Sequence, residues 1–303
     1  MKTQHQSKAA PVLAAHGDHP RRFQDFQFVY PVLSRRSHGI SIGLNTNPNK
    51  ACNFDCVYCQ VDRTVAPAVR CFDLATAETE LRTLLDIVRS GELAKIPPFD
   101  TVPAELRRLN DIALSGDGEP TTLPNFLGVI EMVARHKPAG VKLVLITNAT
   151  GLDRADVRRG LALMDAHAGE VWAKLDAGTS QHYQRVDRSG IAFGRILRNI
   201  SNLAQARPVV IQSLFLKMNG DGPSVEEISA YCDRLREIVA GGGKIKLVQV
   251  CTLARRAMTV VNGIPAWQFV AALTDAEVDA LADIVRQRTG LPVENYYGQA
   301  MNR

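Results

Sequence analysis

The chain has 303 residues, 46% apolar and 22% charged, which is the balance of a folded globular protein and excludes a disordered one. A net charge of +5, from 36 Lys and Arg against 31 Asp and Glu, permits an anionic partner without arguing for one, because a dedicated nucleic-acid binder shows a basic cluster. Six Cys are too sparse for a disulfide scaffold, so their placement decides what they do.

The first twenty residues are polar, lack the apolar stretch of a signal peptide, and read as a frayed, disordered tail. No apolar run is long enough for a membrane span, and the expectation is a cytoplasmic protein with reduced thiols. Gly39 to Leu44 reads as the first strand. Asp73 to Ser90 carries Leu74, Leu81, Leu84, Leu85 and Val88 at a helical period. Asp111 to Ser115 is the next strand and Leu123 to His136 the next helix. Val141 to Thr147 is almost unbroken apolar sequence, as in a parallel sheet covered on both faces. There follow a helix at Arg154 to Ala166, a strand at Val171 to Asp176, a helix at Phe193 to Ala206 and a strand at Val209 to Lys217. Ser224 to Ala240 is a helix with Ser224 and Glu227 placed as a capping box, and Lys244 to Cys251 is the strand after it. A capped helix from Thr274 to about Arg288 and a short strand from Pro292 to Tyr297 close the chain.

Six strand–helix alternations between about residue 39 and about residue 252 predict an α/β fold with a parallel sheet. Right-handed crossovers curl such a sheet into a barrel or partial barrel, or leave it open, and periodicity alone does not choose. The predicted organisation is an N-terminal extension over 1–38, a core over 39–255, and a C-terminal extension with one helix over 256–303.

Three of the six Cys fall within eight residues, at Cys52, Cys56 and Cys59, directly after the first strand and the loop Asn45 to Lys50. Loops at the C-terminal ends of parallel strands are where such folds build sites. A structural zinc site wants four ligands, commonly as two separated pairs. Cys71, Cys232 and Cys251 are isolated and supply no second pair. Three soft thiolates on one loop suit an iron–sulfur cluster with one iron left open. A zinc-stabilised protein and a non-catalytic iron–sulfur sensor are the rival classes.

The spacing Cys52-x3-Cys56-x2-Cys59, with Tyr58 before the last Cys, resembles the radical SAM superfamily. The resemblance implies a [4Fe–4S] cluster on these three thiols, whose free iron chelates S-adenosylmethionine, and selects a partial (β/α)6 TIM-like barrel. Tyr58 matches the aromatic lying near the adenine. After the second strand, Gly118-Glu119-Pro120 matches the element that holds the methionine ammonium, with Asp117 in place of its first Gly and Gly116 just before. Asn148, Lys174 and Asp176, at the ends of the third and fourth strands, are further candidates for binding the cofactor. By strand alternation Lys174 and Asp176 share a face.

What the resemblance implies is an oxidoreductase-type enzyme, in which one electron from the cluster cleaves S-adenosylmethionine and the resulting 5′-deoxyadenosyl radical takes a hydrogen atom from a substrate. An external flavodoxin- or ferredoxin-type reductant is expected. Ser41 to Cys52, Ser115 to Pro120 and Val248 to Leu253 look most like the wyosine-type tRNA-modifying branch. Those enzymes carry extra cysteines for a second cluster, and the first 51 residues here contain none. A tRNA partner is therefore not favoured and the substrate stays unassigned. Arg255 and Arg256, beyond the last barrel strand, could clamp a phosphate or carboxylate or simply be solvated.

Overall fold

The computed structural model describes Ala15 and residues 21–298. The tail expected over the first twenty residues lies, Ala15 apart, outside the described residues. In chain order the elements are β1 (Val29–Ser34), β2 (Gly39–Leu44), α1 (Leu74–Ser90), β3 (Leu109–Leu114), α2 (Phe126–His136), β4 (Lys142–Thr147), α3 (Ala155–Ala166) and β5 (Gly169–Lys174). Next come α4 (Ser180–Val186), α5 (Phe193–Ala206), β6 (Val209–Leu214), β7 (Leu216–Met218), α6 (Val225–Ala240) and β8 (Ile245–Cys251). The chain ends in β9 (Val260–Val261), β10 (Ile264–Pro265), β11 (Val270–Ala272), α7 (Asp275–Thr289) and β12 (Val293–Tyr296).

The main sheet runs β1-β2-β3-β4-β5-β6-β8-β12. From β2 to β12 every neighbouring pair is parallel, and β1 lies antiparallel on β2 with Val29 opposite Leu44. The six strands β2 to β6 and β8 are the predicted alternation, curled into a partial TIM-like barrel. Alternation along each strand sends one set of side chains outward to the helices and the other inward. Ile42, Ile112, Leu114, Leu143 and Leu145 are fully buried in the large core they share with Leu81 and Leu84 of α1 and Phe126 and Ile130 of α2. On the other face Ala113, Val144, Trp172 and Val210 form a separate small cluster with Ile146 and Leu247. Burying each large side chain contributes roughly 1.5–3 kcal/mol.

Four findings differ from the expectations. β1 was not anticipated. It is an edge strand that contains Pro31, a residue tolerated there and poor as a strand signal. Glu80 on α1 holds its start, accepting from the amides of Gln27, Phe28 and Val29 at 2.7, 2.9 and 3.1 Å. The run Val209 to Lys217 is two strands, because the chain leaves the main sheet at Phe215 and β7 pairs with β11 instead. The capping box expected on α6 is half formed. Ser224 accepts from the Glu227 amide at 3.2 Å, but the Glu227 carboxylate turns away to the Gly178 amide and the Thr179 hydroxyl. The box on α7, Thr274 with Glu277, is complete. Lastly, α4 has no counterpart among the expected elements. It has seven residues, too few for a periodic signal, although Thr179 caps it.

Candidate functional site

The loop leaving β2 carries the three thiols into a cavity of about 320 Å³ at the C-terminal ends of the strands, and Cys52, Cys56 and Cys59 all line it. None of the three is in a disulfide. The loop is held from the far side of the barrel, where the amides of Asp55 and Val57 donate to the carbonyls of Asp187 and Val186 at 3.1 and 2.9 Å. Two glycines let the neighbouring loop approach. A Cβ on Gly118 would stand 2.0 Å from the Ala51 carbonyl oxygen, and one on Gly116 would stand 2.2 Å from the Asn45 side-chain oxygen. Asp117, the departure from the motif, has work of its own: it accepts from Arg21 at 2.6 Å and from the Asn45 amide group at 2.8 Å.

Glu119 is buried, and its carboxylate is bonded within the protein. One oxygen accepts from the Thr121 amide (3.1 Å), the Thr121 hydroxyl (2.6 Å) and the Thr147 hydroxyl (2.6 Å), and the other from the Asn148 amide (2.7 Å). A carboxylate has about four lone-pair positions, two on each oxygen, so the oxygen that meets Asn148 keeps one open to a ligand. Burial nevertheless pushes it above the usual carboxylate range, outweighing these donors. The Asn148 side chain is also committed, donating to Asn53 at 2.7 Å and accepting from the Thr150 hydroxyl at 2.7 Å. These two residues thus lock the ends of β3 and β4 to the cysteine loop.

Lys174, Asp176 and Tyr58 meet, as strand alternation placed the first two. The Tyr58 hydroxyl bonds both Asp176 and Lys174, and the Lys174 ammonium lies 3.1 Å from Asp176 and 4.4 Å from the centre of the Tyr58 ring. Burial alone would lower the lysine, but Asp176, with Cys56 and Asp187, holds it above its usual range, so it stays charged. Asp187 was missed from the sequence. It stands 3.5 Å from the Cys56 sulfur and 3.4 Å from the Tyr58 hydroxyl, fully buried, and burial with the charge of Asp176 pushes it well up. Burial, followed by Asp187, likewise raises the Cys56 thiol well above its ordinary value.

Arg63 was also missed. It donates to the Cys59 sulfur at 3.1 Å, while the Phe54 amide donates to the Cys52 sulfur at 3.5 Å. Neither residue carries a motif, and Asp187 lies 131 residues from Cys56. The Arg255-Arg256 pair divides: Arg255 lines the cavity, whereas Arg256 lies 3.8 Å over the exposed Trp267 ring. The remaining cysteines stay apart, with Cys71 exposed, Cys232 buried on α6 and Cys251 at the end of β8.

Among the described residues no three His, Cys, Asp or Glu side chains converge as the ligands of one metal ion would. The donor set, three free thiols lining one cavity with N–H groups aimed at two of the sulfurs, fits an iron–sulfur cluster.

The sequence profile of the radical SAM superfamily matches residues 46–233, more than half of the chain. A UPF0026 protein of Synechocystis sp. is 32% identical over 184 residues, covering 59% of this chain and 60% of that protein. A UPF0026 protein of Helicobacter pylori is 26% identical over 212 residues, covering 69% of this chain and 61% of the relative. The chain thus spans about three fifths of these relatives' length. Among solved structures, a radical SAM methyltransferase from Sphaerobacter thermophilus aligns with a TM-score of 0.59 at 13% identity, over 88% of this chain and 68% of that one. TYW1 with a lysine–pyruvate adduct bound aligns with a TM-score of 0.50 at 13% identity, over 83% and 74%. At such identities these two show the shared barrel fold. The chain belongs to the radical SAM superfamily.

Proposed function

We propose that Cys52, Cys56 and Cys59 hold a [4Fe–4S] cluster, that S-adenosylmethionine binds beside it, and that the protein abstracts a hydrogen atom from a substrate. The observation that carries this reading is the three thiols facing one cavity that the adjacent Gly116–Glu119 loop also lines. When bound and reduced, the cluster supplies the electron that cleaves S-adenosylmethionine to methionine and a 5′-deoxyadenosyl radical.

The chain's own residues bind and position. Thiolates are the metal-binding form, and burial opposes ionisation of Cys56, so iron uptake must displace its proton. Arg63 and the Phe54 amide donate to Cys59 and Cys52, an arrangement that tunes a cluster's potential. Tyr58, fixed by Asp176 and Lys174, presents its ring to the cavity. Asn148 acts by holding the loop, and Glu119, while holding it too, keeps one carboxylate position for the methionine ammonium beside the cavity-lining backbone of Gly116 to Gly118. The electron comes from an external flavodoxin- or ferredoxin-type donor. The isolated positions of Cys71, Cys232 and Cys251 supply no second cluster, so a wyosine-type tRNA reaction is not favoured. No helix among the described residues is long and apolar enough to cross a membrane.

Anaerobic reconstitution tests the reading. The protein is expected to take up about four irons per chain and, with dithionite, to convert S-adenosylmethionine to 5′-deoxyadenosine. Colourless protein holding stoichiometric zinc would overturn it, and a stable cluster without any cleavage would favour a sensor.

A further inference from the structure

The cavity wall carries positive charge that its own acids do not answer. Arg35 and Arg36 stand in the turn after β1, and Arg255 follows β8. Arg35 donates to the Tyr297 carbonyl. The Arg36 guanidinium lies 5.2 Å from the centre of the Trp172 ring. Arg255 spends its Nε on Gln60 at 2.8 Å, while its Nη1 is buried with no hydrogen-bond partner. Among the described residues none of these three pairs with a carboxylate. The acids on the same walls are engaged: Asp117 with Arg21, Asp111 with the Ser41 hydroxyl, Asp176 with Lys174. Arg36 and Arg255 line both the main cavity and an adjoining one of about 140 Å³, which Arg35 also lines.

Solvated arginines would spread apart. Here burial, then the charges of Arg21, Arg36 and Arg35, push the Arg255 guanidinium down to about 10. Clustered guanidiniums with an unfilled donor are satisfied by an oxyanion, which a planar fork grips through two parallel hydrogen bonds. Because Gln60 follows Cys59, Arg255 also abuts the cysteine loop. A molecule anchored there lies in the cavity that the thiols line.

We propose that Arg36 and Arg255, with Arg35 beside them, bind a phosphate or carboxylate group on the substrate. That the anion belongs to a substrate rests on the reaction proposed above; the anion site itself does not.

The test is calorimetric titration of the reconstituted full-length chain with inorganic phosphate and, separately, succinate, at low and high salt. At least one probe is expected to bind, more weakly at high salt. Arg36→Gln and Arg255→Gln should each weaken it on the order of tenfold or more, the loss expected for a charged hydrogen bond. Arg256→Gln, which removes the stack on Trp267, should leave it unchanged. Preference between the probes assigns phosphate or carboxylate. S-adenosylmethionine affinity, measured in parallel, should be the same in all variants. Thermal unfolding checks folding, and Arg255→Lys, which keeps the charge but not the fork, should give an intermediate loss if Arg255→Gln does not fold. Absence of binding by both probes at millimolar concentration, or binding indifferent to both Gln variants, would overturn the proposal. So would a parallel loss of S-adenosylmethionine affinity, which would give the arginines to that cofactor's carboxylate. A chain that takes up no iron yet binds phosphate through these residues would sink the cluster reading and uphold the anion site.

Discussion

The two ends of the barrel strands treat charge in opposite ways. Near the N-terminal ends of β4, β5 and β8, Glu170 gathers Lys142 at 3.3 Å, Lys246, and the Trp172 indole N–H at 3.0 Å. Burial would raise this carboxylate, but the Lys246 and Trp172 hydrogen bonds and the lysine charges hold it below its usual range. At the C-terminal ends the balance reverses. Glu119 and Asp187 are pushed up, Cys56 is pushed up, and Arg255 is pushed down. One end is arranged so that its charges stabilise the fold. The other holds, beside a Lys174 that Asp176 keeps charged, several groups whose ionised forms burial disfavours, a pattern common at functional sites.

Four substitutions can break or sharpen that contrast. Cys56→Ser should have the largest effect, taking bound iron from about four per chain to near zero while leaving the unfolding midpoint of the iron-free chain almost unchanged. Trp172→Ala should do the reverse. Removing the centre of the inner apolar cluster should cost about 3–5 kcal/mol in denaturant unfolding, with iron content retained in the folded fraction. Glu119→Ala, at the C-terminal end, combines the two kinds of effect. It strands buried donors on Thr121, Thr147 and Asn148, so a loss of about 2–3 kcal/mol is expected, together with weaker S-adenosylmethionine binding and a retained cluster. Glu170→Gln is the smallest, about 1 kcal/mol or less, because Lys142 and Lys246 are half exposed and screened. Its sign with pH is definite. A depressed folded-state pKa stabilises above the unfolded value, near 4.3 for Glu. The gap between wild type and Glu170→Gln should therefore be present at pH 7 and close as the pH falls through the folded pKa. Equal effects on iron and stability at both ends would dissolve the comparison.

The parallel strands were legible because burial on both faces leaves apolar runs, as in Val141 to Thr147, and the thiols because their spacing is compact. What escaped was set by distance and by reuse. Asp187 and Arg36 reach the site from remote elements, and nothing beside them in sequence marks it. Phe215 interrupts an apolar run without changing its pattern, since a change of sheet has no local signal. Glu119 was legible as a position, and its partners within the protein were not. A carboxylate beside Thr121 and Thr147 finds partners at home before it meets a ligand.

The contact between Arg35 and the Tyr297 carbonyl joins residues 262 positions apart, one just beyond each edge strand of the main sheet. Contacts of such separation form late, because loop closure must precede their reward. In a chain made from its N-terminus, the cysteine loop is complete long before β12 exists. The contact that ties β1 to β12 therefore waits for the whole chain. Whatever group the thiols take up has its widest way in before that tie is made.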